Sequence, residues 1–376
     1  LIKDTHYEGE RPLFATHNLH LENVTIHTGE SALKECSNIE AVNCRFEGKY
    51  PFWHNDGFVV KNCLFTEGAR AALWYSNNLQ MTDTLVEAPK MFREMDGIRL
   101  ENVQLPYALE TLWFCRNAEL KNVKVDRGDY LFVHGENIRI DDFEMNGNYS
   151  FQYCKNVEIR NAVINSKDAF WNTENVTVYD SVLNGEYLGW HSRNLRLVNC
   201  KISGTQPFCY AHDLIMENCT MTEDADLAFE YSSVQATIYS PVHSVKNPRT
   251  GSITAESFGA IILDENIKAP GNCELKLWDD QTCFDRLDMK YNFDEIIPRR
   301  GMNSYKWDSA NDADILPMWV ADMDFRTAPA VTEALKKRVE HGIFGYVRVP
   351  DSYYHAVIHW FDRRHNWKIE REWMIY

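Results

Sequence analysis

The sequence predicts an all-β fold: a right-handed parallel β-helix of about 19–20-residue coils, followed by a short, mostly α segment of a different kind. Three observations predict it. A repeat of that period runs through the first two-thirds of the chain. Two wholly apolar columns recur inside it. The pattern stops near Tyr291.

The repeat aligns on Asn18, Asn38, Gly57, Asn78, Gly97, Asn117, Asn137, Asn156, Asn175, Asn194 and Asp213, with anchors 19, 20 or 21 residues apart. One residue past each anchor stands an apolar side chain, such as Leu19, Ile39, Ile98 or Val176. Three past stands another, such as Leu21, Ala41, Leu100 or Val178. Mostly polar residues separate them, which is the two-residue alternation of a strand with one buried face.

Five past the anchor, every residue from Asn23 and Asn43 to Asn199 and Asn218 is Asn or Asp. These side chains tolerate left-handed backbone and hydrogen-bond their own turn. Stacked coil on coil, they can also bond to the equivalent residue above and below. A second apolar strand follows, at Ile26, Phe46, Phe65, Val86 and their equivalents. A third strand is expected before each anchor, where Phe52, Leu73, Phe92, Phe132 and Phe170 recur. One coil cannot bury its own face, so stacking closes the core. A leucine-rich repeat shares the period but needs a helical return, and no 3.6-residue pattern appears there. Weaker coils continue to about Pro270-Gly271.

With 376 residues and 44% apolar composition, the chain can form more than one domain. Its net charge of −16, from 55 acidic against 39 basic residues, argues against nucleic acid and anionic membrane as partners. No apolar run approaches the roughly 18–20 residues that span a bilayer. Of ten Cys residues, four sit in Asn-Cys pairs, at Cys44, Cys63, Cys200 and Cys219, and no C-x-x-C zinc spacing occurs. They are read as buried, reduced core residues, which places the chain in the cytoplasm, with no metal site.

Four residues before the anchor lie Trp53, Trp74, Trp113, Trp171 and Trp190. If the Phe column points inward, this column points outward. An exposed aromatic ladder is a platform for stacking sugar rings; packing under a loop or against another subunit is the alternative. One residue further come His54, Tyr75, Glu94, His134, Tyr153, Asn172, His191, Tyr210 and Glu230. Acids, imidazoles and phenols on one stripe suit polysaccharide chemistry. Glycoside cleavage by paired carboxylates is excluded for Glu94 and Glu230, because they lie too many coils apart at roughly 4.8 Å each. A hydrogen-bonded stripe at the edge of the core is the competing explanation.

The recurring Asn-Val and Asn-Cys coils resemble an uncharacterised bacterial β-helix family, a domain of unknown function. That resemblance implies fold and no activity.

From Tyr291 the text changes. It reads Asn292-Phe293-Asp294-Glu295, then Ile315-Leu316-Pro317-Met318-Trp319-Val320-Ala321-Asp322-Met323-Asp324-Phe325, and later Phe344-Gly345-Tyr346. Between these, Pro329 opens a helix with Val331, Leu335 and Val339 on one face, and Gly342 stops it. A second amphipathic helix is expected over Ser352–His365, with Ala356, Val357, Ile358 and Trp360 as its core. These words resemble the N-terminus of cystathionine β-lyase-like C–S lyases, a branch of the fold-type I pyridoxal-phosphate aminotransferases.

The resemblance implies several roles. Tyr346 would reach across a homodimer to the partner's cofactor phosphate, and Val320, Ala321 and Asp322 would lie beside the carboxylate of a small amino-acid substrate. That family's Schiff-base Lys, its Asp on the pyridine nitrogen and its substrate-clamping Arg are expected beyond Tyr376. The chain itself is therefore expected to bind no pyridoxal phosphate and to hold no catalytic residue, with the chemistry left to a longer parent. The expected organisation is a β-helix over 1–271, a junction over 272–290 and the lyase-like segment over 291–376.

Overall fold

The structure is a computed structural model. It describes residues 1–264, 271–278, 297–308, 317, 322–327, 329–346, 348–349, 353–354, 357–358, 360–361, 365 and 367–375. The chain forms two compact units, Leu1–Asp279 and Asp280–Tyr376.

The first unit is a parallel β-solenoid of about 14 coils. Its alternating apolar residues form strands that pair in parallel with the coils above and below. Ala118 pairs with Ile138 and Leu120 with Ile140; Ile138 pairs in turn with Val157. This register places like residues over like residues, so Ile39, Ile98 and Val176 are each at most 2% exposed. In the middle of the stack the two strands of a coil run on as one, as in Asp96–Leu105, Arg116–Val125 and Lys155–Lys167.

Both Asn columns adopt left-handed backbone, with φ of 53° at Asn117 and 50° at Asn122. Their amides form ladders between coils. Asn137 Nδ2 donates to Asn117 Oδ1 at 3.1 Å, and Asn156 Nδ2 donates to Asn137 Oδ1 at 3.0 Å. Asn122 Nδ2 donates to Asn102 Oδ1 at 2.8 Å. Each amide thus answers two demands: a conformation most L-residues avoid, and a hydrogen-bond partner in the next coil.

The segment before each anchor departs from expectation. It is a run of turns, with positive φ at every second residue: Tyr50, Phe52 and His54, or Tyr130, Phe132 and His134. The step from buried Phe52 to the more open Trp53 resembles a strand, but the alternation breaks on either side of it, since Pro51 is buried and His54 exposed. The backbone amides of these residues bond alternately up and down the stack. Phe52 N–H donates to Ala32 O at 3.0 Å, and His54 N–H to Trp74 O at 3.1 Å. Left-handed backbone at a bulky residue costs about 1–2 kcal/mol. Burial of a Phe side chain returns roughly 1.5–3 kcal/mol, and Phe52, Phe132, Phe151 and Phe170 are fully buried. The rings of Phe132, Phe151 and Phe170 also stack, at 5.0 and 5.1 Å.

Two residues before the anchor, small donors satisfy the carbonyls of those inward residues one coil back. Cys115 Sγ donates to Phe92 O at 3.1 Å, Cys154 Sγ to Phe132 O at 2.9 Å, and Ser76 Oγ to Phe52 O at 2.7 Å. The cysteines are therefore more than small hydrophobes. Eight are buried as expected, and Cys273 is half-buried. At one corner the coils approach so closely that only glycine fits: a Cβ at Gly147 would lie 2.5 Å from Gly128 O.

Pairing continues past Gly271, where the sequence reading ended the stack. The strand Glu274–Leu277 pairs with Thr250–Ala255, and Trp278 stacks on Tyr239 at 4.7 Å.

In the second unit, the helix Pro329–His341 begins and ends as the sequence predicts, with Gly342 at φ 69°. Its apolar face is exposed: Val331, Leu335 and Val339 are each at least half open to solvent. Of the helix expected over Ser352–His365, Val357 and Ile358 are half-buried and Trp360 is exposed, while Ala356 lies outside the described residues. No helix among the described residues is long and apolar enough to cross a membrane.

Candidate functional site

The turn face carries the chemistry-bearing side chains of the solenoid. On this face two consecutive residues of each coil, such as Trp53 and His54, turn away from the core and form two columns side by side along the stack.

The Trp column lies deepest. Trp53, Trp74, Trp113, Trp171 and Trp190 are half-buried rather than open. The indoles of Trp53 and Trp74 stack at 5.4 Å with planes 8° apart. The next coil substitutes Arg93, whose guanidinium lies 4.4 Å from the Trp74 ring and 4.6 Å from the Trp113 ring. Four of the indoles donate Nε1–H to a carbonyl of the following coil, at Ala71, Lys90, Tyr130 and Gln206; Trp171 Nε1 is buried with no such acceptor. Both faces of Trp74 are thus covered, and its N–H is engaged. This column ties coils together and leaves little ring face for a sugar to stack on.

The exposed column is the next one out. His54, Tyr75, Glu94, His134, Tyr153, Asn172 and His191 are all open to solvent. Phe114, at 47% exposure, stands in the same register and completes the column. The rings stack along the axis. His54 and Tyr75 lie 5.1 Å apart, Phe114 and His134 4.9 Å, and His134 and Tyr153 4.7 Å, each within 13° of parallel. What reaches solvent is ring edges, imidazole nitrogens, phenol hydroxyls and the Glu94 carboxylate. These are hydrogen-bonding groups repeated once per coil.

Toward the C-terminal coils the stripe becomes denser. His191 stacks on Tyr210 at 4.8 Å, and the Tyr231 ring lies 5.4 Å from Tyr210, tilted by 34°. Glu230 is buried beside them, paired to Lys246 at 2.9 Å. Burial pushes the Tyr210 hydroxyl above its ordinary range, and the Glu230 charge adds to the shift. Burial lowers His191, reinforced by His212. Glu94 and Glu230 do not meet, as expected. No group of three or more metal-ligating side chains occurs among the described residues.

In the second unit, Asp322 is held by Arg299 at 3.3 Å, and its carbonyl accepts from Lys306 Nζ at 3.0 Å. Asp324 receives Arg299, Lys306 and Trp307, and the bond from Lys306 is the main reason its carboxyl lies below the usual range. Val320 and Ala321 lie outside the described residues. Tyr346 is fully exposed.

A stack of parallel coils with amide ladders at its corners and an aromatic turn face defines a β-solenoid protein. The chain belongs to the family described as "Protein of unknown function (DUF3737)", whose model matches residues 1–276. Two curated relatives match a short stretch. Cystathionine beta-lyase PatB of Bacillus subtilis is 49% identical over 85 residues, which is 22% of this chain and 22% of that protein. Protein MalY of Escherichia coli is 38% identical over 91 residues, 23% of each. The chain therefore spans about a fifth of the length of these relatives. Among solved structures, the A-module of mannuronan C-5 epimerase AlgE4 of Azotobacter vinelandii has 10% identity and a TM-score of 0.32, covering 74% of this chain and 90% of that one. The surface protein and adhesin PfbA of Streptococcus pneumoniae has 8% identity and a TM-score of 0.32, covering 74% and 91%.

Proposed function

We propose that this chain joins a β-solenoid to the opening segment of a pyridoxal-phosphate-dependent carbon–sulfur lyase. Lyase activity on cystathionine- or cysteine-type amino acids then belongs to a longer chain that contains the segment. The observation that carries this reading is the 49% identity to a cystathionine β-lyase over 85 residues. The exposed apolar face of Pro329–His341 and the fully exposed Tyr346 support it, since both suit a segment that packs against further parts of such an enzyme or against a partner subunit. When bound, pyridoxal phosphate would supply the electron sink for the reaction. A chain extended past Tyr376 should bind the added cofactor, with absorbance near the visible edge, and release pyruvate from cystathionine. No absorbance with added cofactor would remove the idea.

A second reading concerns the solenoid: the outward stripe binds a linear glycan lying along the axis. Stacked rings with free edges favour hydrogen bonding over ring stacking, so Tyr75, His134, Tyr153 and Glu94 are the contacts. Glycan-array binding that weakens in Tyr75→Ala and Tyr153→Ala supports it. Absence of binding to neutral and acidic glycans alike leaves the solenoid as a scaffold.

A further inference from the structure

The interior column six residues past the anchor carries cysteine on two pairs of consecutive coils. The strand register pairs Arg45 with Leu64 and Phe46 with Phe65, which sets Cys44 directly beneath Cys63. Likewise Lys201 pairs with Thr220 and Ile202 with Met221, which sets Cys200 beneath Cys219. Neighbouring parallel strands lie about 4.8 Å apart, inside the Cα separation of roughly 4.4–6.8 Å that a disulfide requires. The members of each pair share one column, so their Cβ vectors point the same way into the core.

In the first pair one residue's backbone meets its partner's sulfur. Cys44 N–H donates to Cys63 Sγ at 3.3 Å. Each thiol also reaches a carbonyl one coil back: Cys44 to Leu21 O, Cys63 to Ala41 O, Cys200 to Val178 O and Cys219 to Leu197 O. All four are buried. The other cysteines differ. Cys115 and Cys154 belong to one column but are separated by the coil of Gly135, whose N–H meets Cys154 Sγ at 3.3 Å. Cys36 stacks under Asn55.

We propose that Cys44–Cys63 and Cys200–Cys219 are two oxidation sites, each closing to an inter-coil disulfide on reaction with a small disulfide oxidant. In each pair one thiolate attacks the oxidant's S–S bond, forming a mixed disulfide and releasing one thiol. The second thiol of the pair, losing its proton, displaces the other half of the oxidant as a second thiol. The pair loses two protons and two electrons, and the oxidant takes up both. A hydrogen bond between neighbouring thiols favours ionisation of one of them, so each pair holds a thiol that gives up its proton more readily than a lone buried one. Burial instead pushes Cys115 and Cys154 up to about 12, which keeps them protonated and unreactive. Each closure ties two successive coils within one interior column and restricts fraying between them.

The test treats the whole folded chain with hydroxyethyl disulfide, then alkylates the remaining thiols in denaturant and maps the peptides. The expected result is two cross-linked peptide pairs, Cys44 with Cys63 and Cys200 with Cys219, each lighter by two hydrogens, with Cys36, Cys115 and Cys154 recovered alkylated. Cys63→Ser keeps a donor to the Ala41 carbonyl and should lose the first cross-link alone, with its strand circular dichroism unchanged. Recovery of all four thiols alkylated from folded chain, or cross-links scattered among the other cysteines, overturns the proposal.

Discussion

The guanidinium of Arg93 lies 4.6 Å from the centre of the Trp113 ring. Its other face is 4.4 Å from Trp74, which in turn stacks on Trp53. Four successive coils are therefore joined by one column of flat groups, indole on indole on guanidinium on indole. A cation between two rings is worth about 0.5–2 kcal/mol, and the nearby Glu110 carboxylate, 4.0 Å from Nη2, adds little at a half-open site.

Arg93→Ala should therefore destabilise the solenoid by about 1–2 kcal/mol, read as a lower urea midpoint with unchanged slope. Arg93→Lys should recover only part of the loss, because an ammonium cannot stack flat on both indoles. If Arg93→Ala leaves the midpoint unmoved, the column is not a structural tie.

The Asn corner gives an ordered series at Asn122. Asn122→Gly keeps the left-handed backbone but loses the amide bond to Asn102. Asn122→Ala loses both, and should be less stable than the Gly variant by about 1 kcal/mol. Thermal midpoints should fall in the order Asn, Gly, Ala; a more stable Ala than Gly variant would deny the left-handed turn.

Gly147→Ala should destabilise the solenoid. The new Cβ would sit 2.5 Å from Gly128 O, which is backbone and cannot rotate away. Overpacking costs about 1–3 kcal/mol, and a clash with backbone that cannot move aside falls at the upper end. A soluble, fully folded Gly147→Ala chain with wild-type urea midpoint would contradict the close approach of the coils.

Alkaline pH should weaken the fold. Burial raises Cys115 and Cys154 from 9.0 to about 12. A raised pKa means the folded state keeps protons that the unfolded chain gives up. The stabilisation is whole below pH 9 and is lost as pH climbs from there toward 12, at about 1.4 kcal/mol per pH unit for each thiol. Serine at both positions keeps donors to Phe92 O and Phe132 O but does not titrate, so its stability curve should fall less steeply over that window. Equal slopes would place these thiols in contact with water.

Most of the solenoid is legible in the sequence because its two strands alternate with period two and its corners need a side chain that tolerates positive φ. Asn117 and Asn122 announce both demands at once. The turn face reads as a strand because Phe52 is buried and the next residue, Trp53, faces outward; the backbone there alternates in handedness instead, and His54, which a strand would turn back inward, is exposed. A single inward-to-outward step does not distinguish the two. The Trp column was placed outward for the same reason; its half-burial arises from stacking between coils, which one coil's sequence does not display. Phe114 could have been found from its register with His134. The carbonyl-capping role of Cys115 and Ser76 left no signal, since a buried Cys reads as a hydrophobe. In the second unit, Pro329 and Gly342 bracket their helix through local backbone preference alone.

The central claim is that like residues lie one above another at a constant step. Arg99, Glu119, Arg139, Glu158, Thr177, Arg196 and Ile215 are linked by six successive pairings. Spin labels carried on a ketone-bearing unnatural residue at positions 99 and 215, which leaves the native thiols unlabelled, should give a pulsed-EPR distance centred near ~29 Å, six steps of about 4.8 Å. A broad distribution, or a separation well away from that value, would contradict the stacked register.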